Sequence, residues 1–526
     1  MISNLLSSVR RCFNFVSQSY WLVLWLTVIW VGLLAILQAS PVLADPDSFY
    51  HLRAATLIRD SGLLRSFPWT QFSLYKNLYI DHHLGYHLLL IPFVSYWSEI
   101  VGLKIATVFF AGLTGLALFG LLKKWQVPNW GWSLLLLAGT APFLVRQSLG
   151  KAPALAVALT LLGYYLISER RLWWWAALSW LFVWFYSAWP LLLVIVVVET
   201  LVLSANDFFT KRRRGLACLL NGNNYKLWLA TLGGLAAGLL TNPYFPQNIF
   251  YLERLFNMAI RPYHDWLAIG AEWYPYPITE LLANAALPLG LWIMFSLGGV
   301  VAYRQLTKRT VTTWLLSLIF LIYTGRARRQ VEYLVPFLVL SSGLLWRDCR
   351  MVWRQLINRR QEFLPRLLSG RIFMFGLIGY LMLATAAGAI IGYGSAYYYL
   401  RSGFTSVTLQ PAVNWLSQNT PANSLVWQTD WGTFPVLWYH SRHNYYLTGL
   451  DQTFMYAYNP ELYRAWYDLV TAKRHDDYQV IHDLFKADYV LLEKRKAAML
   501  YDLNRDGRFK QFYQDKEVII FKVEYD

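Results

Sequence analysis

The apolar runs in this sequence are long enough to cross a bilayer, and they decide what the chain can fold into. The run from Tyr20 to Gln38 is about 19 residues long and contains no charged residue. A helix of roughly 20 such residues covers the ~30 Å hydrocarbon core of a membrane. Ten more stretches read the same way, at about 104–122, 128–145, 152–168, 172–188, 190–205, 227–241, 285–303, 311–325, 330–346 and 372–392. Composition agrees. Of 526 residues, 56% are hydrophobic and only 15% charged, whereas soluble domains carry about 25% charge. Too much apolar surface is present for disorder, and several runs are too apolar to leave in water. The expectation is a polytopic α-helical membrane protein of about 11 or more transmembrane helices with a soluble part attached.

The net charge of +17 comes from 47 basic and 30 acidic residues. In a soluble chain this would point to nucleic acid. Here it fits the rule that basic residues stay on the cytoplasmic side. With the N-terminus inside, and Arg10-Arg11 ahead of an uncleaved first helix, the basic clusters fall together on one side. They are Lys123-Lys124, Arg170-Arg171, Lys211–Arg214, Arg304–Arg309 and the segment Arg347–Arg371. Cys12, Cys218 and Cys349 are scattered near these segments, so no disulfide framework or zinc spacing is expected. The apolar segment 84–100 reads as a surface or re-entrant helix. Three outer segments remain: loops 41–83 and 242–284, and the C-terminal region 394–526. That region is richer in polar residues, with strand-like runs at 424–429, 445–450, 488–493 and 517–523 and helical stretches at 460–471 and 478–486. The expected organisation is a membrane domain, 1–393, followed by an extracytoplasmic α/β domain, 394–526, with the whole chain in the plasma (inner) membrane.

The outer segments hold the residues that could carry chemistry. Asp45-Pro46-Asp47 opens a helix, followed by His51 and Arg53; oxygen ligands beside a bilayer suit a divalent cation such as Mg²⁺ or Mn²⁺. Asp81, His82, His83 and His87 follow, with His83 and His87 on one helix face and Asp81 able to orient an imidazole. The plainer reading of these histidines is the cap of an interfacial helix. Glu272 is a lone carboxylate in an aromatic stretch. Arg326, Arg328 and Arg329 lie at the outer edge of a span, against the charge rule. An anionic partner such as phosphate accounts for them; an Arg328–Glu332 helix pair is the alternative. Asp430-Trp431-Gly432 ends a strand in the outer domain, and polar-aromatic residues from Asn444 to Tyr463 suit saccharide contacts or a packed loop.

Taken in order, these pieces resemble the catalytic subunit of oligosaccharyltransferase and the wider GT-C glycosyltransferases. Asp47 to Arg53 keeps the Asp-to-Arg spacing of that family's Asp–Pro–Trp–Phe–Asn–Tyr–Arg motif. Gly270-Ala271-Glu272-Trp273-Tyr274-Pro275 is similar to its later-loop glutamate motif. Arg329, seven residues before Pro336, is similar to its arginine in a late span. Pro411–Leu416 and Asn419-Thr420-Pro421 lead to Asp430, Trp431 and Gly432, in the place of its Trp–Trp–Asp–Tyr–Gly. The resemblance implies a GT-C-like membrane glycosyltransferase using a polyprenyl-phosphate-linked sugar or oligosaccharide, with membrane lipid around it and an acceptor of unspecified kind on the outer face. It makes Asp47 and Glu272 catalytic, Arg329 and Arg326 donor-phosphate ligands, and Asp430, Trp431 and Gly432 acceptor-side residues. Two departures matter. Gln428 and Thr429 replace the two tryptophans, which implies an acceptor other than the protein sequon. The second outer loop, Arg146 to Pro153, lacks the family's carboxylate pair. A divalent metal, Mn²⁺ or Mg²⁺, would then be held by Asp47, Asp81, His82 and His83. The rival reading is a transport or lipid-binding protein on a degenerate GT-C scaffold. The near absence of ionisable residues within the spans, Glu199 excepted, favours the enzyme.

Overall fold

The computed structural model describes residues 20–211, 224–260, 267–361 and 371–525. Arg10, Arg11, Cys12, Arg212, Arg213, Arg214, Cys218 and the 362–370 part of the last basic segment lie outside the described residues. Cys349 is a buried free thiol. The chain divides into two units. The first contains Met1–Ser40, Ile105–Thr241 and Glu272–Arg401; the second contains Pro41–Lys104, Asn242–Ala271 and Ser402–Asp526.

The first unit is helical. Among the described residues three helices are both long and apolar enough to cross a membrane: Tyr20–Gln38, Glu99–Lys124 and Pro190–Phe208. The pair Ile278–Asn284 and Ala286–Val301, bent by 94°, makes a fourth if it counts as one broken span. The stretch expected at 128–145 is instead two short helices, Ser133–Ala138 and Ala141–Gln147. They break at Gly139, where an added Cβ would lie 3.2 Å from the Ala389 Cα, so a neighbouring backbone occupies the corner. The stretch at 330–346 runs on as one 31-residue helix, Val331–Gln361. Small residues let helices approach. Gly238 of helix Asn224–Thr241 faces helix Leu172–Phe185 so closely that a Cβ there would meet the Trp180 carbonyl oxygen at 2.8 Å. One turn or two away, the buried Trp175 indole donates to Thr231 Oγ1 at 2.7 Å. That bond satisfies a donor that lipid could not.

The second unit is built on a five-stranded sheet of order β2-β1-β3-β5-β4. Its strands are β1 Leu425–Gln428, β2 Tyr445–Tyr446, β3 Tyr489–Glu493, β4 Phe509–Gln514 and β5 Val518–Val523. β1 is parallel to β2 and β3; β5 runs antiparallel to β3 and β4. Trp427, Val490, Leu492, Ile519 and Phe521 form the core with Trp466, Ile481 and Leu503 from the covering helices. Residues of the first loop join the β2 edge: the Tyr446 amide donates to the Trp69 carbonyl, and the Gln71 amide to the Tyr446 carbonyl, each at 2.8 Å. Helix Asp47–Ser61 packs against helices Leu84–Tyr96 and Phe434–His440. At 13 residues, Leu84–Tyr96 is about 20 Å long, shorter than the ~30 Å core.

Candidate functional site

Arg146, Glu272, Arg329 and Glu332 come together in the first unit from four separate stretches of sequence. Arg146 is the next-to-last residue of helix Ala141–Gln147. Glu272 sits in the single turn Ala271–Trp273, Arg329 in the turn Arg328–Gln330, and Glu332 in the first turn of helix Val331–Gln361. Glu272 bridges the two guanidinium groups: Oε1 accepts from Arg329 Nη1 at 3.0 Å, and Oε2 accepts from Arg146 Nη1. Arg146 Nε also donates to Glu332 Oε2 at 2.7 Å, a pair in which Arg146 is 9% and Glu332 0% exposed. Arg329 Nη2 donates to the Tyr186 hydroxyl at 2.6 Å, and its guanidinium lies 4.4 Å from the Trp273 ring centroid. Stacking on an aromatic face fixes the plane of the fork.

The electrostatics of this cluster favour an anion. Burial alone would raise the Glu272 pKa, but Arg329 and then Arg146 overcome it and hold the carboxyl well below the usual range. Lys151 adds to the same field. Three cations therefore surround two carboxylates. Arg146 Nη2 and Glu332 Oε1 are buried with no hydrogen-bond partner among the described residues. An unmade bond of a buried charged group costs about 1–3 kcal/mol or more, and a phosphate oxygen at Arg146 Nη2 would remove that cost. Sequence reasoning missed Arg146 as a functional residue. Its signal was a single arginine at the end of an apolar run, in a loop noticed only for lacking carboxylates. The expected Arg328–Glu332 helix pair does not form. Arg328 donates to the Pro275 carbonyl at 3.1 Å and faces Glu280 at 3.6 Å, while Glu332 is taken by Arg146. Arg326 is exposed at the last residue of helix Lys308–Arg326.

The first-loop histidines form a different arrangement, within the second unit. Asp81 Oδ2 binds His87 Nδ1 at 2.7 Å, and His87 Nε2 binds His51 Nδ1 at 2.8 Å. The three are 1%, 0% and 4% exposed. With Asp81 ionised and both rings neutral, the chain fixes both tautomers: His87 donates Nδ1–H to the carboxylate and accepts from His51 Nδ1–H. Asp81 Oδ1 accepts from the His83 amide at 3.0 Å, in the turn that leads into helix Leu84–Tyr96. His82 pairs with the Tyr75 hydroxyl at 3.2 Å and stacks on Tyr251. As placed, Asp81, His82 and His83 do not fit a metal-ligand set. Among the described residues no three His, Cys, Asp or Glu side chains are grouped to hold a metal ion.

Asp47 is the first residue of helix Asp47–Ser61, with its amide bonded to Asp45 Oδ1 at 2.8 Å. A carboxylate there lies at the positive end of the helix dipole, one turn before His51 on the same face. Asp430 is bonded through both oxygens. Its Oδ1 accepts from the Gly432 amide at 2.8 Å and its Oδ2 from Arg495 Nη2 at 2.5 Å, while Arg495 also holds Glu493. Trp431 packs partly buried against the sheet core.

No protein-family model and no curated protein sequence matches this chain. Solved structures do match. The archaeal oligosaccharyltransferase AglB from Archaeoglobus fulgidus, in complex with an inhibitory peptide and a dolichol-phosphate, aligns at 14% identity and TM-score 0.60, over 96% of this chain and 74% of that one. ArnT from Cupriavidus metallidurans, bound to undecaprenyl phosphate, aligns at 12% identity and TM-score 0.57, over 95% of this chain and 97% of that one. That alignment thus runs over nearly the whole length of both chains.

The chain has the GT-C fold.

The arabinofuranosyltransferase AftD from Mycobacteria shares it at 12% identity and TM-score 0.58, over 97% of this chain but only 40% of that one. At such identities the GT-C fold fixes the helical scaffold and the C-terminal sheet. Chemistry has to be argued from the residues themselves.

Proposed function

We propose that this protein is a membrane glycosyltransferase that moves a sugar or oligosaccharide from a polyprenyl-phosphate-linked donor to an acceptor on the outer face of the membrane. The observation that carries this reading is the pairing of Arg329 and Arg146 on Glu272, with one Arg146 N–H buried and unpartnered. Departure of a phosphate requires its growing negative charge to be stabilised, and preorganised guanidinium groups do that without reorganisation. Glu272 keeps the two arginines in register. The first-loop resemblance, not the geometry, gives Asp47 the part of general base that takes the proton from the acceptor hydroxyl. The leaving charge is met by the arginines, and no step is routed through Asp81, His82 or His83. The eleven-span topology, with the N-terminus inside and residues 394–526 outside, belongs to the same proposal. So does the placing of the chain in the plasma membrane.

Four measurements test it. Arg329→Ala should raise the apparent KM for a polyprenyl-phosphate-linked sugar roughly ten- to hundredfold, the equivalent of a charge-assisted contact of about 1.5–3 kcal/mol; unchanged donor kinetics would remove Arg329 from the site. Asp47→Asn should lower turnover on the order of 10²-fold or more with membrane insertion intact, and a variant that keeps most of its turnover would strip Asp47 of its role. The same assay in chelator reads any contribution of Mn²⁺ or Mg²⁺: turnover that survives leaves the phosphate to the arginines. For topology, a cysteine at the exposed Lys516 should label from outside intact cells and one at the exposed Arg304 should not. The reverse pattern would invert the proposal.

A further inference from the structure

We propose that the first unit carries a second phosphate site, which holds the headgroup of an anionic phospholipid. The site is a cavity of about 380 Å³ walled by Trp125, Gln126, Thr307, Lys308, Arg309 and Arg347. It is independent of the transfer reaction proposed above and shares no residue with it.

Depth is the first argument. Trp125 and Gln126 follow directly on the apolar helix Glu99–Lys124, and Lys308 opens helix Lys308–Arg326. Arg347 is 18 residues beyond Arg329, mostly along helix Val331–Gln361. At 1.5 Å per residue the cavity lies about 27 Å from the Arg146–Glu272–Arg329 cluster, close to one hydrocarbon thickness. The cluster and the cavity are therefore at the headgroup levels of opposite leaflets. Tryptophan is the residue that collects at such a boundary. Beside it, the Lys123 ammonium sits 5.3 Å from the Tyr20 ring centroid. Tyr20 begins a helix that exposes Trp21, Leu24, Trp25 and Val28, a surface suited to acyl chains.

Charge is the second argument. A helix N-terminus favours acidic residues, yet the first turn of Lys308–Arg326 contains Lys308 and Arg309 and no acid. Three carboxylates answer part of this charge, Glu199 through the field of Lys308 and Arg309 and two by direct bonds. Glu169 accepts from Arg309 Nη2 at 2.7 Å, and Asp348 accepts from Arg347 Nε at 2.7 Å and from the Thr307 amide at 2.9 Å. Arg347 is otherwise committed to framing the wall, donating to the Trp125 carbonyl at 2.9 Å and to Thr307 Oγ1 at 2.8 Å. The Arg309 guanidinium lies 5.4 Å from the Trp125 ring centroid. The exposed Lys308 ammonium makes no hydrogen bond or ion pair among the described residues. Lys308, Arg309, Arg347 and the neighbouring Arg170, with a helix positive end, thus face three carboxylates, Glu169, Asp348 and Glu199. A phosphate diester is the ligand whose charge and depth fit, because basic pockets between helices at this level recognise anionic headgroups.

Native mass spectrometry of the purified full-length protein, titrated with phosphatidylglycerol, phosphatidylcholine and undecaprenyl phosphate, and with inorganic phosphate as competitor, tests the proposal. Phosphatidylglycerol should be retained in preference, and Lys308→Glu with Arg309→Glu should weaken its retention at least about tenfold. Lys510→Glu with Lys516→Glu, in the C-terminal region, should leave it unchanged. The milder pair Lys308→Ser and Arg309→Gln keeps the test open if the reversal fails to fold, and should give a smaller loss in the same direction. Equal retention of the two lipids, or undiminished phosphatidylglycerol binding by the variants, would overturn the proposal. Displacement by inorganic phosphate alone would assign the cavity to the free anion and overturn the lipid. A loss confined to undecaprenyl phosphate would make it a donor site and do the same.

Discussion

The arginine–glutamate cluster of the first unit and the Asp81–His87–His51 chain of the second are both made of buried ionisable side chains, but they are closed to different degrees. In the chain, the carboxylate has a ring nitrogen on one oxygen and a backbone amide on the other, and His87 is bonded through both nitrogens. In the cluster, Arg146 keeps an unpartnered N–H and Glu332 an unpartnered oxygen, and cations outnumber carboxylates. Closure of a polar network locks a fold, whereas a buried donor left open stores a cost that a ligand can remove. The difference is between a network that is closed and one that the proposed donor phosphate would complete.

The largest expected effect breaks the cluster. Arg146→Ala strands the Glu332 carboxylate, which is fully buried, and should lower stability by about 3–5 kcal/mol. Arg146→Met with Glu332→Leu should recover most of that loss, since an apolar pair of similar volume leaves no charge behind. Apparent melting temperatures in detergent would separate the two; a double variant as unstable as the single one would show that packing, not charge, holds this corner.

Asp81→Asn should cost less, about 1–3 kcal/mol, and should leave undecaprenyl phosphate binding intact. If binding falls along with stability, the histidine chain is not a purely structural network, and the contrast with the cluster fails.

Two carboxylates sharpen the comparison through pH. The Glu272 pKa in the folded protein lies below its unfolded value. Its contribution is complete above an unfolded pKa of about 4.3 and is lost only as pH falls through the depressed folded value. Wild type and Glu272→Gln should therefore keep a constant difference in melting temperature between about pH 5.5 and 8. Asp477 shifts the other way, pushed up to about 6 by burial and by Asp502. Its neutral form favours the fold below an unfolded pKa of about 3.9, and that advantage is lost as pH rises through about 6. Asp477→Asn should raise the melting temperature by a few degrees at pH 7.5 and leave it unchanged near pH 4. An equal gain at both would mean that shape rather than charge is responsible. This is the smallest effect of the four.

Much of the architecture was legible in the residues. Long apolar runs announced a membrane scaffold, and the 425–428, 489–493 and 518–523 strands were plain from their β-branched and aromatic content. β4 was not. Its Lys510, Gln511, Phe512 and Gln514 are exposed on a sheet edge and give no apolar alternation to read. The broken helix at Gly139 was missed because the run was read by its hydropathy, although Gly139 and the Pro142 in the first turn of the next helix mark a break. Within the candidate site, Glu272 and Arg329 stood out as charges in apolar or outward positions. Arg146 did not, because its importance lies in its partners.

The sequence by itself determined that the chain enters a membrane, that a polar α/β region follows, and which isolated charges need a reason. Composition and period are local properties, and they survive without the fold. Only the tertiary structure decided what those charges do. It bonded Asp81 to His87 and Asp430 to Arg495. It also gathered Arg146, Glu272, Arg329 and Glu332 from positions up to 186 residues apart. The physical reason is that the energy of a buried charge depends on which groups replace its water, and in this chain those groups are far away in the sequence.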